Sequence, residues 1–468
     1  MSSTVILGSG IIGVSTAYYL SDHQPASSIH LVESAPELFS SASGYAGGFL
    51  AKDWFRPAVA PLGALSFDLH RQLAEENGGR EKWGYSRTTC ISYAVSAVDK
   101  ASQKRGDDWL RDGTSRAETA PAVLDDSSGM APTWLRRVSG DQVELISEDG
   151  TTAQVDPLQL CQFLLQECLK RGVRLHHPAA AVSVSTDVRN ELSSIRIADS
   201  RSSTETDLPC TRLIITAGAW SGRVFESLFR HSQLRLPISS LAGHSVVLTS
   251  PRWHKELEDK GCHAIYTAHT SGYCPEIFSR LGGQIYLAGL NSSAVPLPDT
   301  AGQSKIDSAA IASLKAMASE LLGPEVGEDD LETVREGLCF RPVTASGTPI
   351  VSRIPDRHLG VGMTTRPGAD GGVFIAAGHG PWGISMSLGT GKVLAEMAQG
   401  RPLSADCTPT ASTPSLMLPS ATEPDQAMVV LPEVLAYEAG VFIVKTAKKV
   451  WKLEESFLRE WTIIRLLL

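Results

Sequence analysis

The sequence has little that would indicate a metal site, a disulfide framework or a membrane span. Its eight cysteines are scattered, none of them form a C-x-x-C pair, and no group of cysteine and histidine has the spacing of a zinc site. Apolar runs stay too short for a transmembrane helix, since the nearest candidate, residues 428–444, contains Pro432, Glu433 and Glu438. We therefore predict a reduced, intracellular protein with no bound metal and no transmembrane segment.

The sequence also has no excess of basic over acidic residues. The formal net charge is -9 and no basic run of the nucleic-acid-binding type occurs, so no nucleic acid is expected as a partner. An apolar strand pattern already starts at Thr4, which leaves no room for a signal peptide. With 42% hydrophobic and 20% charged residues, the composition is globular, and the length suffices for two domains. The cytoplasm is the predicted location.

The first 33 residues have the pattern of a β-α-β unit. An apolar strand from Thr4 ends at Gly8, a helix of small residues follows from Ile11, and a second strand ends at Glu33. Residues 212–216 and 373–377 are further apolar runs of the kind found in buried parallel strands. This order predicts an α/β fold with a doubly wound, Rossmann-type sheet. Residues 244–248 and 284–288 predict strands of a second sheet.

A G-x-G-x-x-G motif stands between the first strand and the first helix. Gly8 permits a tight turn, Gly10 allows a pyrophosphate to approach the backbone, and Gly13 allows the helix to pack on the strand. The helix N-terminus, with Ile11 and Ile12, supplies N–H groups for phosphate, and Glu33 has the spacing of an acid that binds a ribose hydroxyl. The motif predicts a dinucleotide site but does not separate FAD from NAD(P).

A loop of small residues follows this acid. Residues 40–48 are rich in serine and glycine, which lets the backbone approach a large ligand. The alternative is a flexible surface loop. Its position directly after Glu33 favours a cofactor role, for which we select Ser41, Ser43, Gly44, Gly47 and Gly48.

Four later motifs, in this order, give the chain a family resemblance. They are Val155-Asp156-Pro157, Thr216-Ala217-Gly218-Ala219-Trp220-Ser221, Gly337-Leu338-Cys339-Phe340-Arg341-Pro342-Val343-Thr344 and Ala376-Ala377-Gly378-His379-Gly380-Pro381-Trp382-Gly383-Ile384. The series resembles the D-amino-acid oxidase superfamily of FAD-dependent oxidoreductases, which includes glycine oxidase, sarcosine oxidase and amadoriases. The resemblance covers residues 1 to about 402 and implies FAD as the cofactor.

The resemblance also implies two domains that are interleaved along the chain. It predicts a discontinuous FAD-binding domain of residues 1–85, 151–235 and 343–403. An α+β substrate domain built on an antiparallel sheet is predicted over residues 86–150 and 236–342. Beyond it, a segment rich in Ser, Thr and Pro predicts a linker at 404–427, and residues 428–468 form a tail of unknown role.

Further cofactor residues are implied by the motifs of the family. They are Ala217, Gly218, Trp220, Cys339, Gly378, His379, Gly380, Trp382, Gly383 and Ile384. Cys339 has two interpretations. In sarcosine oxidases and amadoriases a cysteine five residues before a threonine is bonded to the flavin, and Thr344 has this spacing here. The adjacent Arg341-Pro342 resembles the members without a covalent bond, and a small buried cysteine is the interpretation we favour.

The family resemblance places Arg341 at the substrate carboxylate, with Tyr273 and Glu276 over the flavin. For Tyr273 and Glu276 the alternative is that they are loop residues away from the site. A guanidinium forms a bidentate, charge-assisted pair with a carboxylate, which suits this role; a structural salt bridge is the alternative. The implied reaction is oxidation of the C–N bond of a small amine or amino acid to an imine, with oxygen as electron acceptor.

One departure from the family leaves the electron acceptor open. No lysine between Tyr273 and Gly289 matches the one that sarcosine oxidases and amadoriases use for reaction with oxygen. Two alternatives to the implied reaction also remain. One is an NAD(P)-linked dehydrogenase. The other is a flavin-binding protein that acts mainly in endosomal trafficking or regulation, because similar fungal sequences resemble endosome-associated proteins.

Overall fold

The computed structural model describes residues 2–95, 125–126, 131–147, 150–269, 274–324 and 327–407. All of these residues lie in the unit Met1–Leu418. The predicted site residue Tyr273, most of the predicted linker and the predicted tail lie outside the described residues.

Strands and helices alternate at the start of the chain, and strands dominate its middle. The strands are β1 (Thr4–Leu7), β2 (Ile29–Val32), β3 (Phe49–Ala51), β4 (Ser86–Ala94), β5 (Asp125–Asp126), β6 (Gln142–Ser147), β7 (Thr152–Gln154), β8 (Arg174–His176), β9 (Ala179–Thr186), β10 (Leu192–Asp199), β11 (Glu205–Pro209), β12 (Arg212–Ile215), β13 (Ser239–Thr249), β14 (Cys262–Ala268), β15 (Glu276–Arg280), β16 (Gln284–Ser292), β17 (Glu332–Val343), β18 (Ile350–Ile354) and β19 (Gly372–Ala377). The helices are α1 (Ile11–Leu20), α2 (Ala42–Tyr45), α3 (Ala60–Asn77), α4 (Gly79–Trp83), α5 (Pro157–Arg171), α6 (Ser221–Leu228), α7 (Lys255–Glu258), α8 (Ser308–Leu322) and α9 (Ser387–Ala398).

A six-stranded sheet in the order β18-β19-β12-β1-β2-β8 forms the first layer of the fold. Its strands are parallel except for β18, which pairs antiparallel with β19. The central strands are buried on both faces, as their continuous apolar sequences predict. Helices α1, α5 and α9 cover one face, with Val14, Leu164 and Leu388 in one core cluster. The antiparallel strands β9 to β11 and helix α6 cover the other face.

A larger mixed sheet forms the second layer, in the order β17-β13-β16-β15-β14-β4-β6-β5, with β3 and β7 attached beside β4. Its neighbouring strands are antiparallel except for β4 and β14, which run parallel. The sheet is therefore antiparallel over most of its width, with one parallel pair. Helix α8 packs on one face through Leu314 and Leu321. The opposite face presents Phe278 and Tyr286 towards the loop of small residues.

The sequence assigned three separate segments to the FAD-binding domain, and the six-stranded sheet contains strands from each of them. Strand pairing therefore brings the three segments together. The predicted linker differs at its start. Ala405 and Cys407 are buried, and the backbone N–H of Ser404 donates to Glu396 at 2.7 Å. Residues 404–407 therefore belong to the packed part of the chain.

Helix α5 carries a side-chain cap at its N-terminus. Asp156 accepts hydrogen bonds from the backbone N–H groups of Leu158 and Gln159, at 2.9 and 3.1 Å, and Pro157 occupies the first helical position. We expect Asp156→Ala to lower the free energy of unfolding by about 1 kcal/mol, because those N–H groups lose their acceptor. Chemical denaturation measures this loss. Asp156→Asn, which keeps an acceptor oxygen, is the control and should stay within a few tenths of a kcal/mol of the parent. An unchanged midpoint in Asp156→Ala would contradict the capping role.

Candidate active site

Three backbone segments meet closely at the turn before helix α1. Gly8 has a φ of +100°, and a Cβ there would lie 2.7 Å from the carbonyl oxygen of Thr216. A Cβ on Gly13 would lie 2.0 Å from the carbonyl oxygen of Gly8. The Thr216 hydroxyl donates towards the carbonyls of Leu7 and Gly8, at 3.1 and 2.9 Å. Only glycine fits these contacts, so the N-terminus of α1 is held directly above the end of β1.

The predicted ribose acid is held by backbone N–H groups. One oxygen of Glu33 accepts from the N–H of Ser9 at 2.9 Å, and the other accepts from the N–H of Ala35 at 2.9 Å. Each carboxylate oxygen can accept a second hydrogen bond. Glu33 is therefore oriented at the end of β2 and keeps the capacity to accept from a ribose hydroxyl.

The loop of small residues lies against the helix N-terminus. Ser43 accepts from the N–H of Ile11 at 2.9 Å, and a Cβ on Gly10 would meet the Ser43 oxygen at 3.0 Å. The hydroxyl of Ser41 accepts from the N–H of Phe340 at 3.3 Å, which ties the loop to strand β17. N–H groups and hydroxyls are thus gathered at the N-terminus of α1, which is an arrangement that favours an anionic ligand.

A buried arginine fixes the end of this loop. Arg280 is 2% exposed and donates to the carbonyls of Ala46 at 2.6 Å and Gly47 at 2.8 and 3.1 Å. Gln154 also donates to the Gly47 carbonyl at 2.6 Å. Burial lowers the pKa of Arg280 to about 10, so the guanidinium stays charged at neutral pH. Charged donors to carbonyls make strong hydrogen bonds, and residues 46–48 are held rigidly between the two sheets.

A cavity of about 450 Å³ runs between the two sheets at the carboxyl ends of β1, β2 and β12. Crevices at this edge of a doubly wound sheet are where such folds bind ligands. The predicted site residues that line it are Gly8, Gly10, Ile11, Ile12, Glu33, Ser41, Ser43, Gly47, Gly48, Ala217, Gly218, Trp220, Glu276, Cys339, Arg341, His379, Gly380, Gly383 and Ile384.

Four predicted cofactor residues are not among the lining residues. Gly13 packs on Gly8, as described above. A Cβ on Gly44 would lie 2.3 Å from the carbonyl of Phe39, and one on Gly378 would lie 2.6 Å from the Thr344 methyl. The Trp382 ring packs on Phe55, with centroids 4.8 Å apart. These four residues pack behind the residues that line the cavity, and their sequence neighbours are the ones that face it.

Several lining residues were not selected as site residues from the sequence, although Ser40, Thr216 and Pro342 stand within the motifs described above. They include Ser40, Phe49, Thr216, Arg223, Phe278, Tyr286, Pro342 and the segments 179–181 and 299–301. Segment 299–301 is held over the cavity because Trp220 donates to the carbonyl of Pro298 at 2.8 Å and Arg223 donates to that of Leu297 at 2.9 Å. No local motif marks this segment. Tyr286 could have been selected from the alternation along its strand, which places it on one face of the sheet. Its cross-strand neighbour Phe278 lies on the same face.

Charged groups lie where the large sheet closes the cavity. The guanidinium of Arg341 lies over Gly243, where a Cβ would be 1.8 Å from its Nη1, and it donates to Asn291 at 2.6 Å. Glu276 is 4% exposed and also lines the cavity. Tyr286 on β16 also lines the cavity, and its pKa is raised mainly by burial, with Arg341 opposing and Glu276 adding to the rise. The cavity therefore contains a cation, an anion and a phenol on one sheet face.

Cys339 and His379 face the cavity from two different walls. Cys339 is 2% exposed on β17, opposite Gly243. His379 is 3% exposed at the turn after β19, and its Nε2 lies 3.1 Å from the Thr390 hydroxyl. Burial lowers the pKa of His379 to about 4, so its imidazole is neutral at pH 7. A neutral imidazole can donate or accept but adds no charge to the wall.

Comparison with known proteins agrees with this geometry. The model of the FAD dependent oxidoreductase family (DAO) matches residues 3–397, and the chain belongs to this family. The oxidoreductase C1F5.03c of Schizosaccharomyces pombe, whose name gives a class but no substrate, is 26% identical over 419 residues, which cover 84% of this chain and 93% of that protein.

Two solved structures share the fold. Glycine oxidase from Geobacillus kaustophilus superposes with a TM-score of 0.64 at 19% identity, covering 90% of this chain and 99% of that one. L-proline dehydrogenase from P. horikoshii superposes with a TM-score of 0.63 at 13% identity, covering 87% and 97%. The predicted fold class, the family resemblance and the enzyme class are confirmed, and the family assigns FAD rather than a nicotinamide cofactor.

The residues present fit FAD. Gly8 and Gly10 leave the helix N-terminus open to the cavity, Glu33 suits a ribose, and the Ser40 hydroxyl is buried with no hydrogen-bond partner among the described residues. The described residues contain no cluster of three or more His, Cys, Asp or Glu that could hold a metal ion. Within the same residues, no helix has the length and hydropathy needed to cross a membrane.

The G-x-G-x-x-G motif predicts that flavin is lost when Gly10 gains a side chain. Gly10→Val places a branched side chain against Ser43, in the space through which a pyrophosphate must approach. We expect purified Gly10→Val to retain little flavin, measured as visible absorbance relative to protein absorbance. Gly150→Val is the matched control, because beyond its chain neighbours no described residue has an atom within 4 Å of a Cβ there, and it should keep the parent ratio. A full complement of flavin in Gly10→Val would refute this site.

Cys339 supports a second prediction, that the flavin is not covalently bound. The neighbouring Arg341-Pro342 resembles the members of the family without a thioether. Acid precipitation of the parent protein should therefore give a colourless pellet and a yellow supernatant. A yellow pellet from the parent protein that becomes white in Cys339→Ser would overturn the prediction and establish a thioether at this position.

Proposed function

We propose that this FAD-dependent oxidoreductase oxidises the C–N bond of a small amine or amino acid to an imine. The observation that supports the proposal is the guanidinium of Arg341 in the wall of the cavity, bonded to the neutral amide of Asn291 at 2.6 Å. A guanidinium presents several N–H donors in a fixed planar fork. A carboxylate is the ligand that its planar fork suits best.

The bound FAD supplies the chemistry of accepting a hydride equivalent from the carbon that bears the nitrogen. The protein contributes orientation and exclusion of water. Arg341 would hold the carboxylate, and the Tyr286 phenol, kept protonated by burial, can donate a second hydrogen bond. Phe49 and Phe278 are buried lining residues that keep this end of the cavity apolar. An imine formed there hydrolyses once it reaches water.

The electron acceptor and the location of the protein are parts of the same proposal. We propose oxygen as acceptor, as in an oxidase, although the segment from Glu276 to Gly289 carries no lysine. An oxidase and a dehydrogenase share this fold, so the fold is compatible with either acceptor. The cytoplasm is the proposed location, and association with endosomes is the alternative that the fungal resemblance suggested.

Replacement of Arg341 tests the proposed substrate class. Arg341→Ala removes a charged hydrogen-bonded partner worth about 3 kcal/mol, so flavin reduction by amino acids should fall by roughly two orders of magnitude. Reduction by an uncharged amine should change little, because that substrate does not use the guanidinium. The measurement is anaerobic flavin reduction followed by absorbance.

Two controls separate binding from general damage. Arg341→Ala should keep its flavin, and Arg341→Lys should recover only part of the rate because an ammonium lacks the bidentate fork. Equal losses on both substrate types would assign Arg341 a structural role. A parent protein whose flavin stays oxidised with every amine and amino acid tested would favour the trafficking or regulatory alternative.

A further inference from the structure

Residues 297–303, called here the cover segment, form part of the cavity wall although they belong to no strand of either sheet. They lie in the connection between strand β16 and helix α8. Their middle residues Asp299, Thr300 and Ala301 line the cavity, together with residues of the loop that follows Glu33. The connection between two elements of the large sheet therefore closes a cavity whose opposite wall belongs to the six-stranded sheet.

One side of the cover segment is held by side chains of helix α6 and of the turn before it. The indole N–H of Trp220 donates to the carbonyl of Pro298 at 2.8 Å. The guanidinium of Arg223 donates to the same carbonyl at 3.0 Å and to that of Leu297 at 2.9 Å. It also lies 3.9 Å from the carboxylate of Asp299. Side-chain donors on the FAD-binding half thus hold the backbone of the segment.

The other side of the cover segment touches the loop that follows Glu33. A Cβ on Gly302 would lie 2.8 Å from Cγ of Pro36, so the backbone of the segment contacts this ring directly. Ala35 and Glu37, the neighbours of Pro36 in sequence, line the cavity. The segment therefore reaches from α6 to the loop after β2, with the cavity beneath its middle.

The cover segment has the properties of a part that opens locally. Residues 293–307 are all described, and none of them is buried. Leu297 is half-buried against a small apolar cluster that includes Phe340. Pro296 and Pro298 have no N–H group, which prevents regular strand pairing here. Segments with few buried contacts open at a low free-energy cost while the rest of the protein stays folded.

The neighbouring walls are held more firmly. Arg280 is 2% exposed and fixes the loop at Gly47 through hydrogen bonds to its carbonyls. The backbones at Gly8 and Thr216 meet at a distance that leaves no room for a Cβ. A cofactor enclosed between these walls must pass through the part of the wall whose displacement costs least, which is the cover segment.

We propose that the cover segment is a gate for the cofactor. FAD enters and leaves the cavity when residues 297–303 are displaced, and the closed segment retains it. Trp220 and Arg223 are the residues that hold the gate closed. The family supplies the identity of the cofactor, so the inference does not depend on the substrate or on the reaction. Weaker anchors should raise the open fraction and speed association and release together.

A disulfide across the edge of the gate tests the proposal directly. Because a Cβ at Gly302 would lie 2.8 Å from Cγ of Pro36, two cysteines at these positions are within the range of a disulfide. In full-length Pro36→Cys/Gly302→Cys, oxidation should slow the release of FAD by about 10-fold or more, because the bond holds the segment closed. Dithiothreitol should restore the rate. Release is followed as the rise in FAD fluorescence after dilution of the flavin-loaded protein, and the two single variants are the controls.

Removal of an anchor tests the gate without a new bond. Arg223→Met should raise both the association rate and the release rate of FAD by about 10-fold, because the segment loses its hydrogen bonds to the guanidinium. The affinity should change less than either rate, since both rates depend on the same open state. Arg235→Met is the matched control. Arg235 also donates to carbonyls, those of Ser232 and Leu234, is absent from the lining of the cavity, and should leave both rates unchanged.

Two outcomes would overturn the gate. One is equal release from the oxidised and the reduced double variant, with the disulfide verified by thiol titration. The other is faster release from Arg223→Met with unchanged association, which assigns Arg223 to ordinary cofactor binding; this measurement decides if the disulfide does not form. A protein whose flavin proves covalent is measured as Cys339→Ser. Amine oxidation enters none of these readouts, so a failure of the proposed function leaves the result on the gate intact.

Discussion

The buried guanidinium of Arg280 is the interaction on which the site depends. It lies on the inner face of the large sheet and donates to two carbonyls of the small-residue loop, while its plane lies over the ring of Tyr286 at 5.0 Å. A buried cation is stable only when its donors are satisfied, and here backbone carbonyls and an aromatic face contact the guanidinium while the charge of Asp156 favours it. One side chain therefore joins the two layers and fixes the wall of the cavity between them.

The opposite wall depends on close backbone contact. Gly8, Gly13 and Thr216 bring β1, α1 and the end of β12 together at distances that exclude any Cβ. The helix N-terminus consequently points into the cavity, and its N–H groups and partial charge favour an anionic cofactor. The two walls differ in character. One offers backbone donors and small residues, and the other offers aromatic rings and ionisable side chains.

The ionisable groups of the cavity differ in their protonation state. His379 is neutral because burial lowers its pKa to about 4, and Tyr286 is protonated because burial raises its pKa. Arg341 and Glu276 are further ionisable residues of the cavity wall on the large sheet, in addition to the charged Arg280 behind it.

The sequence determined the parts of this protein whose signals are local. The turn glycines, Glu33 at the end of β2, the cap at Asp156 and the apolar runs of the parallel strands depend on residues within a few positions or one β-α-β unit. The order of the later motifs was sufficient for the family, the fold class and FAD, because these motifs keep their order along the chain even though they come from separate segments.

Tertiary structure alone decided which side chains face one another. Arg280 lies 233 residues from Gly47, and strand alternation assigned it a face but no partner. The pairing of β15 with β16, and of β16 with β13, set the spacing between Glu276 and Arg341. The segment from Leu297 to Ala301 reached the cavity through Trp220 and Arg223. The physical reason is that sequence period fixes the direction of a side chain, whereas its neighbours depend on strand order and chain crossings between residues far apart in sequence.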